Sequence, residues 1–422
     1  MISPASSSIG TEPSAMGVAG SASADIGDTR STQILILTAG FGEGHNAAAR
    51  NLAAAFDAIL APGAARIVDI FSLASPRLNA VSRRSYLALI NRAPRIWQSV
   101  YGWLDRSQFP KRSLRLLRSE TRLLGELLER ERPVAVCSTY PVYAFMLAQL
   151  ARQGRYAAPH FNVVTDAISI NSIWWRAPCA GWFVTDAISA NVLLRAGVAP
   201  GLVHDCGFPT PVFFADHAHL APPDLAPGVR PRVLCIINSV TRDATAQVRA
   251  LFADTAWDVT VAVGRDERLR RRLEKLAADR AAPTTILGWT DQIPRLLLTH
   301  HVVVSKAGGA TTQESIAARC PMIVNQIVPG QEEGNCELLR LHGAGVLAET
   351  PEAVAAACRR AFAEDAKVWH VWRTALTKLA RPHAAHEIAS RVLQLAASSR
   401  PMAAADVRAA LFPPANHSSP QP

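Results

Sequence analysis

Short apolar runs alternate with longer amphipathic stretches through most of the 422-residue chain. The runs have the length and composition of strands buried in a parallel sheet, and the stretches between them have helical spacing. One set of strands is predicted at 33–39, 66–70, 134–138, 161–165, 181–184 and 202–206, and a second set at 232–238, 258–264, 284–289, 301–306 and 321–326. This alternation predicts an α/β fold.

A proline-rich bridge at 216–231 separates the two sets of strands. We therefore expect two doubly wound, Rossmann-like domains, an N-terminal one at 32–215 and a C-terminal one at 232–398. Ligands of such sheets bind at the carboxyl ends of the strands, so the cleft between the domains is the expected active site. The ends, 1–31 and 399–422, are rich in small residues and proline and are predicted to be disordered tails.

Composition narrows the class of protein. The chain is 49% apolar, carries a formal net charge of +10, and holds seven cysteines without a CxxC pair. These features predict reduced thiols in a cytoplasmic protein with an anionic partner. No apolar run is long enough to span a bilayer, so any membrane contact is expected to be peripheral, at the inner face. No nucleic-acid-binding motif accompanies the charge.

Most of the net positive charge lies in the segment 77–132, which has thirteen Arg and Lys residues against five Asp and Glu. The same segment contains Tyr86, Trp97, Tyr101, Trp103 and Phe109, and this mixture suits the headgroup region of an anionic membrane. The alternative is a solvated helical face whose aromatic residues belong to the core.

The first chemically suggestive loop is AGFGEGHN at 39–46, between a predicted strand and a predicted helix. Its glycines permit a tight turn that leaves backbone amides at a helix N-terminus, although many α/β turns use glycine only to reverse the chain. His45 follows directly, at the carboxyl end of the strand, where it can act as a general base.

The second loop is AGGA at 307–310, between the strand HVVVSK and the helix TTQESIAARC. The first turn of that helix offers N–H groups to a diphosphate, and Lys306 can add positive charge. Glu314 can accept hydrogen bonds from both hydroxyls of a ribose. Equally, Glu314 can stabilise the helix dipole while Lys306 is a solvated residue at the strand end. In the following turn, PGQEEGN, Gln331 and Glu332 have the groups of a sugar-hydroxyl clamp.

With both loops in place, the chain resembles the monogalactosyldiacylglycerol synthase and processive diacylglycerol glucosyltransferase family, which is glycosyltransferase family 28-like. The similarity covers about 33–395 and is strongest at 288–345, through SKAGGATTQES, PMIVNQIVPGQEEGN and GAG. It implies the GT-B arrangement of two domains, a UDP-hexose held by the C-terminal domain, and a lipid acceptor, diacylglycerol in the first instance, that enters through the N-terminal domain.

The resemblance also implies roles for individual residues. His45 is in the catalytic position, with Asp166 at an acidic position after a strand. Residues and resemblance together give the donor-binding set as Gly288, Trp289, Lys306, Gly308, Gly309, Ala310, Thr311, Glu314, Gln331, Glu332 and Asn335. In that set GWTDQIP, 288–294, faces the uracil and Asn335 supports its loop. The acceptor-side set is Gly42, Gly44, Asn171 and Trp174.

The implied reaction is inverting hexosyl transfer, in which His45, oriented by Asp166, removes the proton of an acceptor hydroxyl. We expect no cofactor besides the UDP-sugar substrate and no metal ion, because the paired histidines at 217, 219, 300 and 301 lack zinc-type spacing.

Two features depart from the family pattern. Asn171 stands where members commonly have histidine, and CIINSVTRDATAQ places Asn238, Ser239 and Thr241 where a glycine-rich turn is usual. A catalytically silent lipid- or nucleotide-binding homologue therefore stays open as an alternative. So does a UDP-sugar epimerase or hydrolase of the same fold.

Overall fold

The computed structural model describes residues 33–40, 42–74, 116–238, 243–328 and 332–398. Within them the strands form two six-stranded parallel sheets. The first sheet contains β1 (Ile34–Leu37), β2 (Ala65–Val68), β3 (Ala135–Ser138), β4 (His160–Val163), β5 (Gly181–Val184) and β6 (Val203–Asp205). The second contains β7 (Arg232–Ile236), β8 (Asp258–Ala262), β9 (Thr284–Leu287), β10 (Val302–Lys306), β11 (Met322–Gln326) and β12 (Gly345–Leu347).

Helices connect most of these strands, as parallel pairing requires. Those of the first half are α1 (Glu43–Ile59), α2 (Ile70–Ala74), α3 (Arg118–Glu131), α4 (Val142–Arg152), α5 (Ala187–Arg195) and α6 (Phe213–Asp216). Those of the second half are α7 (Ala244–Phe252), α8 (Glu267–Ala278), α9 (Ile293–Thr299), α10 (Gly309–Ala317), α11 (Glu333–Leu341), α12 (Pro351–Leu379) and α13 (Ala384–Ser398). The backbone of α12 is non-helical at Ala363–Ala366, where three consecutive residues have positive φ.

The order of strands in each sheet locates the expected binding edge. The first sheet runs β2-β1-β3-β4-β5-β6 and the second β12-β11-β10-β7-β8-β9. The chain therefore reverses its direction of progress between β1 and β3, and again between β7 and β10. Ligands of open parallel sheets bind beside such reversals, at the carboxyl ends of the strands. The predicted pair of doubly wound domains is confirmed.

Apolar clusters cover both faces of each sheet. In the first domain, one cluster joins β1, β3 and β4 to α1, and another joins β1 and β3 to α2, α3 and α4. In the second domain, α7 and α12 cover one face, and α9, α10 and α11 cover the other. All seven cysteines are free, in agreement with the prediction of reduced thiols, and five of them are buried.

The predicted boundary of the C-terminal domain differs from the structure at its end. Helix α13, 384–398, was assigned by sequence to the C-terminal domain, but Ala385, Ile388, Ala389 and Val392 belong to the cluster on the first sheet beside α1. The chain thus crosses between the domains twice, once through 217–231 and once after Leu379. A helix pattern shows which face is apolar and does not show which sheet that face covers.

No helix among the described residues is both long enough and apolar enough to cross a membrane.

Candidate active site

His45 lies in the first turn of α1, directly after the glycine loop that follows β1. Its Nδ1 is 2.9 Å from the Thr165 hydroxyl, and the Tyr140 ring meets the imidazole edge-on with centroids 5.3 Å apart. Burial lowers the pKa of His45 to about 4, against a smaller opposing effect of a hydrogen bond with the Thr139 backbone. The imidazole is therefore neutral at pH 7 and can accept a proton.

Asp166 does not orient His45, contrary to the sequence-based expectation. Its carboxylate accepts a hydrogen bond from Trp174 Nε1 at 2.8 Å, and the neighbouring residue Thr165 contacts the imidazole instead. Burial raises the pKa of Asp166 to about 6, although hydrogen bonds from Trp174 and the Asn171 backbone oppose the rise. Asp166 thus lies beside the base without acting through it.

Trp174 was predicted to belong to the acceptor-side set. It is only 1% exposed, so its side chain is not open to a bound acceptor. Its backbone carbonyl accepts hydrogen bonds from Asn162 and Trp182, and its ring lies 6.5 Å from that of His45. The Asn171 side chain also makes a local contact. It accepts a hydrogen bond from Ile173 N and caps the 3-10 turn Ser172–Trp174. Trp174 therefore packs beside the base, and Asn171 begins the turn that carries Trp174.

The opposite wall of the cleft is the N-terminus of α10, which follows β10 after Gly308. A Cβ atom placed on Gly309 would lie 3.6 Å from the Thr165 carbonyl oxygen, and one on Gly44 would lie 3.9 Å from the Ala310 amide nitrogen. The structure therefore brings the predicted diphosphate cradle, Gly308–Thr311, directly opposite the loop that carries His45. Amides at a helix N-terminus favour an anion there.

Lys306 and Glu332 were predicted to act separately, and the structure joins them in an ion pair. The Glu332 side chain is 8% exposed, and its other oxygen accepts a hydrogen bond from Val328 N at 3.0 Å. A Cβ atom placed on Gly308 would lie 3.2 Å from Lys306 Nζ, so the ammonium group lies beside the helix N-terminus. Asn335 donates to the Ala307 carbonyl at 3.0 Å and fixes the turn between β10 and α10.

Glu314 lies on α10, about one turn in from the cradle, and is half-buried. Burial raises the pKa of its carboxyl group to about 7, and the positive charge of Arg50 on α1 acts in the opposite direction. A carboxyl group in this place can accept hydrogen bonds from sugar hydroxyls.

The remaining predicted donor residues lie on the same edge of the second sheet. Gly288 and Trp289 follow β9 directly, and the Trp289 ring is 65% exposed, with the Arg265 guanidinium carbon 5.8 Å from its centroid. Asn238, after β7, donates to Ser305 Oγ at 3.2 Å. Gln331, Ser239 and Thr241 lie outside the described residues, as does 77–115 of the basic segment.

Gly334 is not among the residues that the sequence predicted for the site. A Cβ atom placed there would lie 1.9 Å from the Ala167 carbonyl oxygen, so the first turn of α11 packs on the backbone that follows β4. Ile168, in the backbone after β4, has a φ of 56°, and its amide donates to Ser189 Oγ at 2.9 Å. Gly334 therefore lets the two domains come into close contact beside the site. The only feature of the sequence that could have indicated this is a glycine in the first turn of a helix.

No group of three or more His, Cys, Asp and Glu side chains in the described part of the chain is arranged to hold a metal ion.

Comparison with known proteins shows which family this chain is similar to. Residues 45–210 match the family model of monogalactosyldiacylglycerol (MGDG) synthase. The chain is 24% identical to the processive diacylglycerol beta-glucosyltransferase of Bacillus subtilis (strain 168), over 76% of this chain and 85% of that protein. The relationship predicted from the sequence is confirmed.

Two solved structures share the fold. Os79 from O. sativa, crystallised in complex with UDP, superposes with a TM-score of 0.58 at 13% identity, over 86% of this chain and 100% of that one. The UDP-GlcNAc 2-epimerase from Neisseria meningitidis, bound to UDP-GlcNAc, has a TM-score of 0.53 at 10% identity, over 86% of this chain and 99% of that one. The predicted GT-B arrangement is confirmed by such neighbours, which at these identities indicate the fold alone.

Proposed function

We propose that this chain, a hexosyltransferase related to MGDG synthase, transfers a hexose from a UDP-sugar to the hydroxyl group of a lipid acceptor, diacylglycerol in the first instance. One observation carries the proposal. The loop that carries a neutral, half-buried imidazole at the end of β1 lies next to the N-terminus of α10, so a base and an anion site lie close together where the two domains meet.

In the proposed reaction the acceptor oxygen attacks the anomeric carbon of the hexose from the side of His45. A bond forms between these two atoms, the bond from the anomeric carbon to the diphosphate oxygen breaks, and UDP leaves with the electron pair. The acceptor proton passes to the imidazole, a general-base contribution of about 10²- to 10⁴-fold. Attack opposite the leaving group inverts the anomeric configuration.

The donor is held by the second domain. The amides of Gly308–Thr311 and the ammonium group of Lys306 stabilise the charge that develops on UDP, as preorganised donors do in other enzymes. Glu314 accepts hydrogen bonds from the ribose hydroxyls, and the uracil binds against the Gly288–Trp289 segment. Glu332 contacts the hexose on the side of the ion pair, and the family resemblance assigns Gln331 to the same sugar.

The acceptor assignment rests on the relative's name, which states diacylglycerol as its substrate, and on the apolar surroundings of His45. Such an enzyme would work at the cytoplasmic face of a membrane, and the excess of positive charge in 77–132 suits an anionic surface.

The proposal is tested by incubating the purified protein with a panel of UDP-hexoses and vesicles that contain or lack diacylglycerol. Release of UDP and the mass of the lipid product are measured. We expect UDP release only with diacylglycerol present, together with a lipid heavier by one or more hexoses. Release of UDP without lipid, or conversion of the donor to its C2 epimer, would contradict the proposal and support the hydrolase or epimerase.

A further inference from the structure

A rim of partly exposed apolar side chains lies beside the base, on the face of the first sheet covered by α2, α3 and α4. Its members are Phe71, Leu123, Tyr140 and Val142, all of which pack on the buried cluster below them. They come from three helices and the loop after β3, so the rim is a product of the tertiary fold. Partly exposed apolar surface next to an active site is a common mark of ligand or membrane contact.

The rim is continuous with His45. The Tyr140 ring lies between the imidazole, with centroids 5.3 Å apart, and the Phe71 ring, with centroids 5.9 Å apart, and it meets both edge-on. Phe71 in turn contacts the Tyr143 ring at 5.3 Å. An apolar group that lies against Phe71 and Tyr140 therefore ends within one side-chain length of the base.

The rim is also fixed in place relative to the base. Asp69 caps α2 through the Ser72 amide and accepts a hydrogen bond from Gly40 N at 3.0 Å, which ties α2 to the glycine loop. The buried Tyr143 hydroxyl donates to the Thr38 carbonyl at 2.7 Å and accepts from Ile70 N at 3.1 Å. Helix α2 and the strand end before His45 thus behave as one unit.

Two leucines on or next to these helices expose apolar surface to solvent. Leu73 on α2 is 47% exposed, and Leu116, just before α3, is 80% exposed. Arg118 and Arg122 on the exposed side of α3 follow Leu116 within two turns. Exposed leucines beside basic residues suit the boundary between acyl chains and anionic headgroups of a lipid surface.

We propose that Phe71 and Tyr140 form an acyl-chain wall, which holds the apolar part of the lipid acceptor so that its hydroxyl group meets His45. This inference rests on the proposed function and names the subsite through which the acceptor is recognised. The occupant is a glycerolipid with a free hydroxyl, because the wall offers rings and methyl groups next to the base.

The wall is tested with Phe71→Ser, compared with the apolar replacement Phe71→Leu. As a matched control, Val371→Ser changes an apolar side chain that is 58% exposed on α12. The kcat/KM is measured for a long-chain diacylglycerol in mixed micelles and for a short-chain, water-soluble diacylglycerol at saturating UDP-sugar. Binding of a fluorescent long-chain diacylglycerol to the protein in the same micelles, without donor, gives a readout independent of turnover. UDP affinity and thermal unfolding are recorded for each variant.

We expect Phe71→Ser to lose about tenfold in kcat/KM and in binding for the long-chain lipid, since one apolar contact is removed. The short-chain acceptor and UDP should change less than twofold, and Phe71→Leu and Val371→Ser should match the unaltered protein. Equal losses for both acceptors, or no loss for the long-chain lipid, would overturn the wall. If the unaltered protein binds the lipid through Phe71 but transfers no hexose, the proposed function fails and the wall stands.

Discussion

The two walls of the cleft are built from different kinds of group. On the N-terminal side, function depends on side chains: His45, Thr165, Asp166 and Trp174 are held by hydrogen bonds that reach down into the sheet. On the C-terminal side, the main element is backbone, the first turn of α10, supported by an ion pair and by Asn335. The first wall suits proton transfer, and the second suits binding of a charged leaving group.

This difference determines what a substitution can do. A side-chain change on the N-terminal wall removes a chemical group, so it should lower kcat more than donor affinity. No single side-chain change removes the amides of the C-terminal wall, so changes there should act through affinity or through the distance between the walls.

The largest expected effect comes from His45→Gln, which removes the base and keeps a polar side chain of similar length. We expect kcat to fall by about 10²- to 10⁴-fold with UDP affinity changed less than threefold. Turnover at saturating donor and acceptor, with calorimetry for UDP, provides the measurement. His342→Gln, at an exposed position after α11, is the matched control. A kcat within tenfold of the unaltered protein would exclude His45 as the base.

The next effect concerns the distance between the walls. In Gly334→Ala the added methyl group would lie 1.9 Å from the Ala167 carbonyl oxygen, so the two backbones must separate. We expect kcat/KM to fall about 10²-fold, because a shift of about 1 Å between reacting groups has an effect of this size. Gly201→Ala is the control, since a methyl group there would meet no atom within 4 Å.

Activity is measured together with small-angle scattering, which reports on separation of the domains. An active Gly334→Ala protein with unchanged scattering would show that the contact is not needed for alignment of the two walls.

Lys306 and Glu332 test whether the C-terminal wall acts mainly through charge. We expect Lys306→Met to weaken binding of both UDP and the UDP-hexose by about tenfold, as loss of a charge-assisted contact would. Glu332→Gln should weaken the UDP-hexose more than UDP, since its proposed contact is with the hexose. The exposed pair of Glu337 and Arg340 on α11 supplies matched controls. Calorimetry with both ligands measures the affinities.

If Lys306 and Glu332 serve only to hold the fold, the two single substitutions will lower the unfolding free energy without a ligand-specific change. The double variant would then recover stability, because neither charge is left without its partner.

The sequence predicted the sheets well and the contacts around the base less well. Continuous apolar runs identify strands buried on both faces, and eleven of the twelve strands follow from them. The exception is β12, a three-residue edge strand that none of the predicted runs covers. The range of α13 was assigned to the C-terminal domain by its position in the chain, because the sequence carries no sign of which sheet its apolar face covers.

Within the site, the approach of the His45 loop to the cradle agrees with the predicted cleft between two doubly wound domains, because each domain binds ligands at the carboxyl ends of its strands. The hydrogen-bond partner of His45 could not be predicted from the sequence. Thr165 and Asp166 are adjacent and both can accept a hydrogen bond, and only the tertiary structure decides which faces the imidazole. The pairing of Lys306 with Glu332, 26 positions apart, is likewise a product of the fold.

The smallest expected effect concerns the hydroxyl group that orients the base. Burial holds the pKa of His45 near 4, so the imidazole is protonated and inactive only below that pH, and kcat at saturating donor should be flat from pH 8 to about 5. Thr165→Val removes one hydrogen bond, and kcat should fall by about two- to tenfold, while Thr165→Ser keeps the hydroxyl and should not change.

Thr165→Asp gives the decisive pH profile. A carboxylate beside Nδ1 favours the charged imidazole and raises the pKa of His45, so the fall in kcat on the acid side should move to higher pH. Rates from pH 4 to 8 at saturating donor measure the shift. Asp166, whose pKa is about 6, offers the competing explanation. An acid limb near pH 6 in the unaltered protein that stays in place in Thr165→Asp would assign the limb to Asp166, and Thr165 would then have no influence on the base.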